Sequence, residues 1–339
     1  MKKYAVGVVG ATGMVGQRFV TLLERHPWFQ LTVVAASARS AGKPYEEAVG
    51  HRWAMPTPIP EEAKSLVVMD AQADKEKIAN AVDFIFCAVD MKKEEVRALE
   101  EAYAKLECPV VSNNSAHRWT PDVPMVIPEV NPEHLAVLEA QKARLGTKRG
   151  FIAVKSNCSI QSYAPALHPL RSYGLERVLV CTYQAISGAG KTFETWPEIV
   201  DNVVPYIGGE EEKSEQEPLK VWGKVEKGQI VPALSPSITA QCLRVPVSDG
   251  HTAAVFVSFQ TKPSLEEIKS CWAHFQGRPQ AKLDRDLEGG MAVTLGRLRP
   301  DTQYDYKFVG LSHNTLRGAA GGGVLLAELL CAEGYILPR

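Results

Sequence analysis

Paired cysteines are missing from this chain. Seven cysteines stand singly at positions 87, 108, 158, 181, 242, 271 and 331. The number is odd, and there is no CxxC pair and no metal-like Cys/His spacing, which argues for reduced thiols and against a disulfide framework or a zinc site. An excess of one charge is missing too. With 38 basic and 39 acidic residues the net charge is −1, and no long basic run or basic amphipathic stretch occurs, so neither nucleic acid nor a membrane is an expected partner. No apolar run approaches the ~18 residues of a membrane span. Met1-Lys2-Lys3-Tyr4 leads directly into strand-like sequence, and the expected location is cytoplasmic. Internal repeats and low-complexity tracts are also lacking. What is present is the composition of a soluble enzyme, 45% apolar and 23% charged. A length of 339 residues exceeds the ~250–300 at which one core stops growing, so two domains are expected.

The first half alternates strand and helix signals. Tyr4 to Val9 is an apolar run of strand length that ends in Gly10-Ala11-Thr12-Gly13-Met14-Val15-Gly16, after which Val15, Phe19, Leu22 and Leu23 recur at helical spacing until Pro27. Strand, glycine turn and helix make a dinucleotide-binding opening. Glycine lets backbone approach a pyrophosphate, and the helix start supplies amides and dipole. The spacing is GxxGxxG rather than GxGxxG, and a tight turn alone would also use glycine. A second strand, Leu31 to Ala36, runs into Ser37-Ala38-Arg39-Ser40, and no acid occurs between Leu31 and Tyr45. An acid here would hold the ribose hydroxyl of NAD, so Ser37, Arg39 and Ser40 point instead to the 2′-phosphate of NADP, against the plainer reading of a polar surface loop. Further strands are expected at Leu66–Met69, Phe84–Ala88 and Pro109–Ser112, with helical sequence such as Lys92 to Leu106 between them. This rhythm implies a doubly wound parallel sheet. After it, Arg118 lies in a polar cluster at a strand's C-terminal end, where an arginine can clamp an oxyanion or simply be solvated.

Lys155-Ser156-Asn157-Cys158-Ser159-Ile160-Gln161 follows the apolar run Phe151 to Val154 and opens a helix-like run. A thiol at a helix start ionises more readily, and the thiolate is the reactive form, so Cys158 is a candidate nucleophile. The alternative is a buried, inert thiol. Beyond it, Glu176 to Ile186, Cys242 to Val247 and His251 to Phe259 are β-rich runs, the last two separated by the turn Ser248-Asp249-Gly250. They suggest a mixed or antiparallel sheet with the cysteine at its rim. Arg317 to Leu330, with Gly321-Gly322-Gly323, reads as a helix that returns to the first domain, and Pro205 to Pro218 as an exposed excursion. The expected division is residues 1–155 completed by 314–339 as the nucleotide-binding domain, and 156–313 as the catalytic and oligomerisation domain.

Taken together, Gly10 to Gly16, Ser37 to Gly42, Ser156-Asn157-Cys158-Ser159, Thr182 to Gly188, Gly208-Gly209-Glu210-Glu211-Glu212-Lys213, Arg244-Val245-Pro246 through His251, and Asn314 to Ala320 resemble aspartate-semialdehyde dehydrogenase, in that family's order. The compact Gly-Gly-Glu-Glu-Glu-Lys stretch is similar to the archaeal and fungal branch.

The resemblance implies an N-terminal Rossmann-type doubly wound parallel sheet, an α+β catalytic domain with a mixed or antiparallel sheet, and NADP as cofactor. It implies NADPH-dependent reduction of L-aspartyl-4-phosphate to L-aspartate 4-semialdehyde through a cysteine thioester, in the biosynthesis of lysine, methionine and threonine. A covalent intermediate splits one hard step into two. Cys158 would be the nucleophile, His251 the acid/base, for which an imidazole pKa of ~6.5 is suited, and Gln184 the amide that orients substrate. Arg244 would bind the α-carboxylate and Glu210 the α-ammonium, with Arg118, Asn157 and Lys213 on the phosphate. The cofactor would touch Gly10, Thr12, Gly13, Met14, Val15, Ser37, Arg39, Ser40, Ser187, Gly188 and Asn314. No metal is implied, and the assembly would be a homodimer or homotetramer that takes small-molecule substrates. Glu210 and Lys213 also fit a solvated charge run. A malonyl-CoA or succinyl-CoA reductase on the same scaffold is the alternative function, and an idle nucleotide-binding paralogue a second.

Overall fold

The structure is a computed structural model that describes residues 3–275, 278–279 and 285–339. The chain divides into two compact units. The first comprises 1–155, 225–230 and 320–339, and the second 156–224 and 231–319. Residues 314–319, expected with the first domain, thus group with the second, and the short segment 225–230 groups with the first.

In the first unit the strands are β1 (Tyr4–Val9), β2 (Phe29–Ala36), β3 (Met69–Asp70), β4 (Phe84–Cys87), β5 (Val110–Ser112), β6 (Met125–Val126) and β7 (Ile152–Lys155). They form one sheet in the order β3-β2-β1-β4-β5-β7-β6, every pairing parallel. Buried on both faces, β4 and the first three residues of β7 read as continuous apolar runs, the usual pattern of parallel strands. Leu66–Met69 pairs less than expected. The chain there makes only an isolated bridge at Val67 before β3 begins at Met69.

The turn after β1 explains its glycines. Gly10 has φ 93°, and a Cβ on it would stand 2.3 Å from the Ala88 carbonyl oxygen; a Cβ on Gly16 would stand 2.1 Å from that of Gly10. Helix and strand can therefore close on each other only without side chains there. The helix Met14–Leu23 buries Phe19 and Leu23, and Phe19 stacks on Phe86 at 4.4 Å. On the Phe19 ring lies the C-terminal helix Gly321–Ala332, whose Gly323 leaves no room for a Cβ, which would be 2.8 Å from Phe19 Cζ. That helix starts later than the sequence pattern suggests. Leu316–Ala320 is a single wide π-type turn with Ala319 far from helical geometry, at φ −140° and ψ −106°.

The second unit is built on β8 (Leu175–Gln184). The hairpin of β9 (Lys224–Glu226) and β10 (Gln229–Val231) contains the segment 225–230 of the first unit, and the further strands of the second unit are β11 (Ser237–Arg244), β12 (His251–Phe259), β13 (Arg278–Pro279), β14 (Val293–Pro300) and β15 (Tyr306–Ser312). The sheet order is β11-β8-β12-β15-β14-β13, mixed in direction, with β11 parallel and β12 antiparallel to β8. The strand expected at Cys242 to Val247 is shifted. It runs from Ser237 to Arg244, and Pro246, which lacks an amide donor, lies beyond its end.

The stretch expected as an exposed excursion is a helix. Glu210–Val221 buries Glu210, Ser214, Glu217 and Val221, positions four, three and four apart along one face. Because three of the four are polar, no apolar stripe announces the helix in the sequence. It lies along the edge strand β11. Glu211 accepts from the Cys242 amide at 3.2 Å and Glu215 from the Ala240 amide at 3.0 Å, so carboxylates occupy an edge that would otherwise expose unpaired amides.

Candidate active site

Three side chains that are distant in sequence meet at one edge of the second unit's sheet because of strand register. Gln184 ends β8 and lies in register with Arg244, which ends the parallel β11. His251 begins the antiparallel β12, where its neighbour Thr252 pairs with Tyr183. All three are buried.

Cys158 reaches this edge from the turn after β7, and its Sγ lies 3.4 Å from His251 Nε2. Of the Cys158 environment, one expectation needs correction. The residue precedes a four-residue 3-10 turn, Ser159–Ser162, and then the short helix Ala164–Leu167, not a regular helix. Serines that bond locally are the reason. Ser162 Oγ donates to the Ser159 carbonyl at 2.6 Å, and both Ser159 N and Oγ donate to Asn157 Oδ1 at 2.7 Å. A helix dipole is therefore a small influence on this thiol. Charge near it comes from Arg244, whose pKa is drawn down by burial, only partly opposed by the negative charges of Cys158, Glu210 and Cys242.

The Ala185 peptide organises the site. Its N–H donates to His251 Nδ1 at 3.0 Å, and its carbonyl accepts from Arg244 Nη1 at 2.7 Å. With Nδ1 accepting, the neutral imidazole carries its proton on Nε2, the nitrogen that faces Cys158. Gly188, expected at the cofactor, stands against both side chains. A Cβ on it would meet Arg244 Nη1 at 2.8 Å and His251 Nε2 at 3.2 Å. Asn314 braces the same edge, accepting from the Gly250 amide at 2.8 Å and donating to Ser187 Oγ at 2.9 Å.

Glu210 is 8% exposed, not part of a solvated charge run. Lys213 Nζ lies 2.6 Å from its Oε1, Asn157 Nδ2 donates to both its oxygens at 3.1 and 3.2 Å, and Gln184 Nε2 donates to Oε2 at 3.3 Å. Burial raises the Glu210 pKa, but the Lys213 charge and these hydrogen bonds outweigh it and hold the carboxyl below its ordinary value. A buried carboxylate kept ionised beside an arginine is a recognition pattern for a zwitterion.

In the first unit, Arg118 is buried, with Nε donating to the Lys155 carbonyl at 3.2 Å and Nη2 to that of Asn113 at 3.5 Å. A cavity of about 650 Å³ opens at the C-terminal ends of β1 and β2 and is lined by Gly10, Thr12, Gly13, Ser37, Arg39 and Ser40. Met14 and Val15 form the first helical turn beside it. Two further cations, Lys43 and Arg52, line the same cavity, as do Asp70 and Asp90. Sequence reasoning missed Lys43 and Arg52, since neither lies in the turn after β1 or directly at the end of β2. The glycine turn, the serines and three cations suit a phosphorylated dinucleotide, and the cavity is large enough for one.

Two family models match this chain: the semialdehyde dehydrogenase NAD binding domain at residues 5–138, and the semialdehyde dehydrogenase dimerisation domain at 167–317. An aspartate-semialdehyde dehydrogenase of Methanothermobacter thermautotrophicus is 43% identical, with 96% of this chain and 98% of that protein aligned. That of Saccharomyces cerevisiae is 38% identical over 98% of this chain and 99% of its own length. A crystal structure of aspartate semialdehyde dehydrogenase with NADP from Candida albicans superimposes with a TM-score of 0.85 at 36% identity, covering 99% of this chain and all of that one. Two domain models in sequence and full-length relatives in archaea and fungi establish that this chain belongs to the semialdehyde dehydrogenase family.

Proposed function

We propose that the protein is an NADP-dependent aspartate-semialdehyde dehydrogenase that makes L-aspartate 4-semialdehyde from L-aspartyl-4-phosphate. The observation that carries this reading is the placing of a thiol 3.4 Å from an imidazole Nε2, with a buried arginine and a buried carboxylate beside them. Arg244 holds the α-carboxylate by its guanidinium fork and Glu210 the α-ammonium, while Lys213 and Arg118 attract the phosphate.

Chemistry then follows from the groups. The Cys158 thiolate attacks the acyl carbon, the bond from that carbon to the phosphate oxygen breaks, and phosphate leaves, so that a thioester remains. When bound, NADPH supplies the hydride that reduces it. The resulting oxyanion collapses, the carbon–sulfur bond breaks, and the aldehyde departs with the thiolate restored. His251 holds its proton at Nε2, where it donates first to the thiolate and then to the oxyanion, and Gln184 orients the reacting carbonyl. Gly10, Thr12, Gly13, Met14 and Val15 would hold the cofactor's pyrophosphate, Ser37, Arg39 and Ser40 its 2′-phosphate, and Ser187, Gly188 and Asn314 its nicotinamide end. The product feeds synthesis of lysine, methionine and threonine. A homodimer or homotetramer in the cytoplasm is part of the same reading, supported by the dimerisation-domain match; among the described residues no helix is long and apolar enough to cross a membrane.

The test is direct. Purified protein should reduce NADP when given aspartate semialdehyde and phosphate, and should not oxidise NADPH with malonyl-CoA. The CoA-thioester alternative has no ammonium for Glu210, and activity on malonyl-CoA alone would refute the proposal.

A further inference from the structure

Glu217 takes no part in the chemistry above, yet it is a carboxylate with no exposed surface, held close to the nucleophile. Its Oε2 accepts from the backbone amide of Asn157 at 2.5 Å, and Asn157 directly precedes Cys158. We infer that Glu217 is a positioning residue for the nucleophile. Through the Asn157 amide, it fixes the turn that aims Cys158 Sγ at His251 Nε2. This rests on the reading of Cys158 as the nucleophile.

The argument starts from the backbone. A chain that leaves a strand for a tight turn has amides with no ladder or helix partner, and inside a protein each of these must find an acceptor. At Asn157 the acceptor comes from another element. Glu217 belongs to the face of helix Glu210–Val221 that carries Glu210, Ser214 and Glu217, and each of these three holds the same turn. Glu210 accepts from the Asn157 side chain at 3.1 Å. Ser214 Oγ lies 3.2 Å from Ser159 Oγ, and the Ser214 carbonyl accepts from Tyr163 Oη at 2.6 Å. Glu217 takes the amide. The turn is thus held at 157, 159 and 163, on both sides of Cys158, by one helical face.

From another side, Gly318 closes on the cysteine, since a Cβ there would stand 2.7 Å from Cys158 Cβ. Arg317 Nε donates to Gln161 Oε1 at 2.9 Å, and Gln161 Nε2 to Ser156 Oγ at 2.8 Å. The bond that Glu217 accepts is to the backbone of the residue directly before Cys158. Glu210 keeps 8% exposure, whereas Glu217 has none. Its bond to the Asn157 amide is a direct link from this helix to the backbone that carries Cys158. It also ties the helix that carries Glu210 and Lys213 to the nucleophile turn, so that the charges that would read the substrate and the sulfur that would attack it share one rigid support.

The experiment compares Glu217→Ala, Glu217→Gln and Glu217→Asp with the unaltered protein. Three quantities are measured: the alkylation rate of Cys158 by iodoacetamide, read at that peptide by mass spectrometry; kcat and KM for phosphate-dependent NADP reduction with aspartate semialdehyde; and the thermal midpoint. Misplacement of a reacting atom by about 1 Å costs on the order of 100-fold. Glu217→Ala is expected to lower kcat by about 10- to 100-fold and to change the Cys158 alkylation rate by more than about threefold, with KM for NADP unchanged within about twofold. Glu217→Gln keeps an acceptor oxygen at the same reach and should recover kcat to within about tenfold of the unaltered enzyme. Glu217→Asp withdraws that oxygen by one methylene and should fall nearer to Ala. Ala and Asp variants that fold and retain both kcat and Cys158 reactivity within about twofold would overturn the inference. If the Ala variant does not fold, the Asp and Gln variants decide by the same criterion. Alkylation needs no substrate, so it still judges the positioning role if aspartate semialdehyde proves not to be a substrate at all.

Discussion

Gly188→Ala tests whether this glycine makes room for Arg244 or for the cofactor. The backbone of Gly188 is not among those with positive φ, so alanine fits its conformation and only the new methyl group matters. That carbon would stand 2.8 Å from Arg244 Nη1, 3.1 Å from His251 Cε1 and 3.2 Å from His251 Nε2. His251 is anchored through Nδ1 by the Ala185 amide. Arg244, at the end of a flexible side chain, is the group that yields, and by moving it gives up its 2.7 Å bond to the Ala185 carbonyl. The guanidinium then no longer meets a bound carboxylate squarely. Loss of one charge-assisted hydrogen bond costs ~1.5–3 kcal/mol, which is about 10- to 100-fold in kcat/KM at ~1.4 kcal/mol per tenfold. The assay is steady-state NADP reduction with aspartate semialdehyde and saturating phosphate, each reactant varied in turn, with a thermal melt as the control for folding. We expect kcat/KM for the semialdehyde to fall by that factor while KM for NADP stays within about twofold. An unchanged kcat/KM for the semialdehyde together with a raised KM for NADP would refute the steric argument and assign Gly188 to the cofactor.

Cys158→Ala should abolish phosphate-dependent NADP reduction and leave cofactor affinity nearly unchanged, as read by NADPH fluorescence titration; turnover near the original rate would sink the thioester route. Timed alkylation near neutral pH should label Cys158 well before Cys108 and Cys331, whose thiols burial pushes up to about 12, and before Cys87 and Cys242, which burial also raises. Arg39→Asp should erase or reverse a preference for NADP over NAD by about 10- to 100-fold, through loss of one charge-assisted contact of ~1.5–3 kcal/mol; equal use of both cofactors by the unaltered enzyme would contradict the reading of the Ser37–Ser40 turn. Glu210→Gln should depress activity on aspartate semialdehyde far more than on succinate semialdehyde, which has no ammonium, and equal losses would remove Glu210 from substrate recognition. Because the folded-state pKa of Glu210 lies below its unfolded value, its ionised form stabilises the fold above the unfolded carboxyl pKa of ~4.3. That contribution is lost as pH falls through the folded value. Acid unfolding monitored by circular dichroism should therefore show less loss of stability below about pH 4 in Glu210→Gln than in the unaltered protein.

Local signals in the sequence were sufficient for much of this protein. The strand-turn-helix of Tyr4 to Leu23 is dictated by neighbours in the chain: an apolar run, glycines where backbone must touch backbone, and a helical repeat closed by Pro27. The alternation that follows leaves few options other than a parallel sheet, because apolar runs as continuous as Phe84–Cys87 and Phe151–Val154 have to be covered on both faces. The place of Cys158 after the apolar run Phe151 to Val154 marked it as a candidate, whereas His251 was singled out only by the family resemblance. What the sequence could not disclose was everything that depends on polar groups meeting across the fold. Helix Glu210–Val221 buries carboxylates and a serine where periodicity looks for apolar side chains, so it resembled a solvated excursion. The turn around Cys158 resembled a helix because its serines, which bond locally, are visible as composition but not as geometry. Lys43 and Arg52 reach the cavity beside the glycine turn from outside that motif. The pairing of Arg244 with Gln184, the single peptide of Ala185 that orients both Arg244 and His251, and the Glu217 bond to Asn157 are set by strand register and helix docking. Those are long-range packing events, and a residue's local sequence holds no record of which partner, some 60 positions away, will satisfy it.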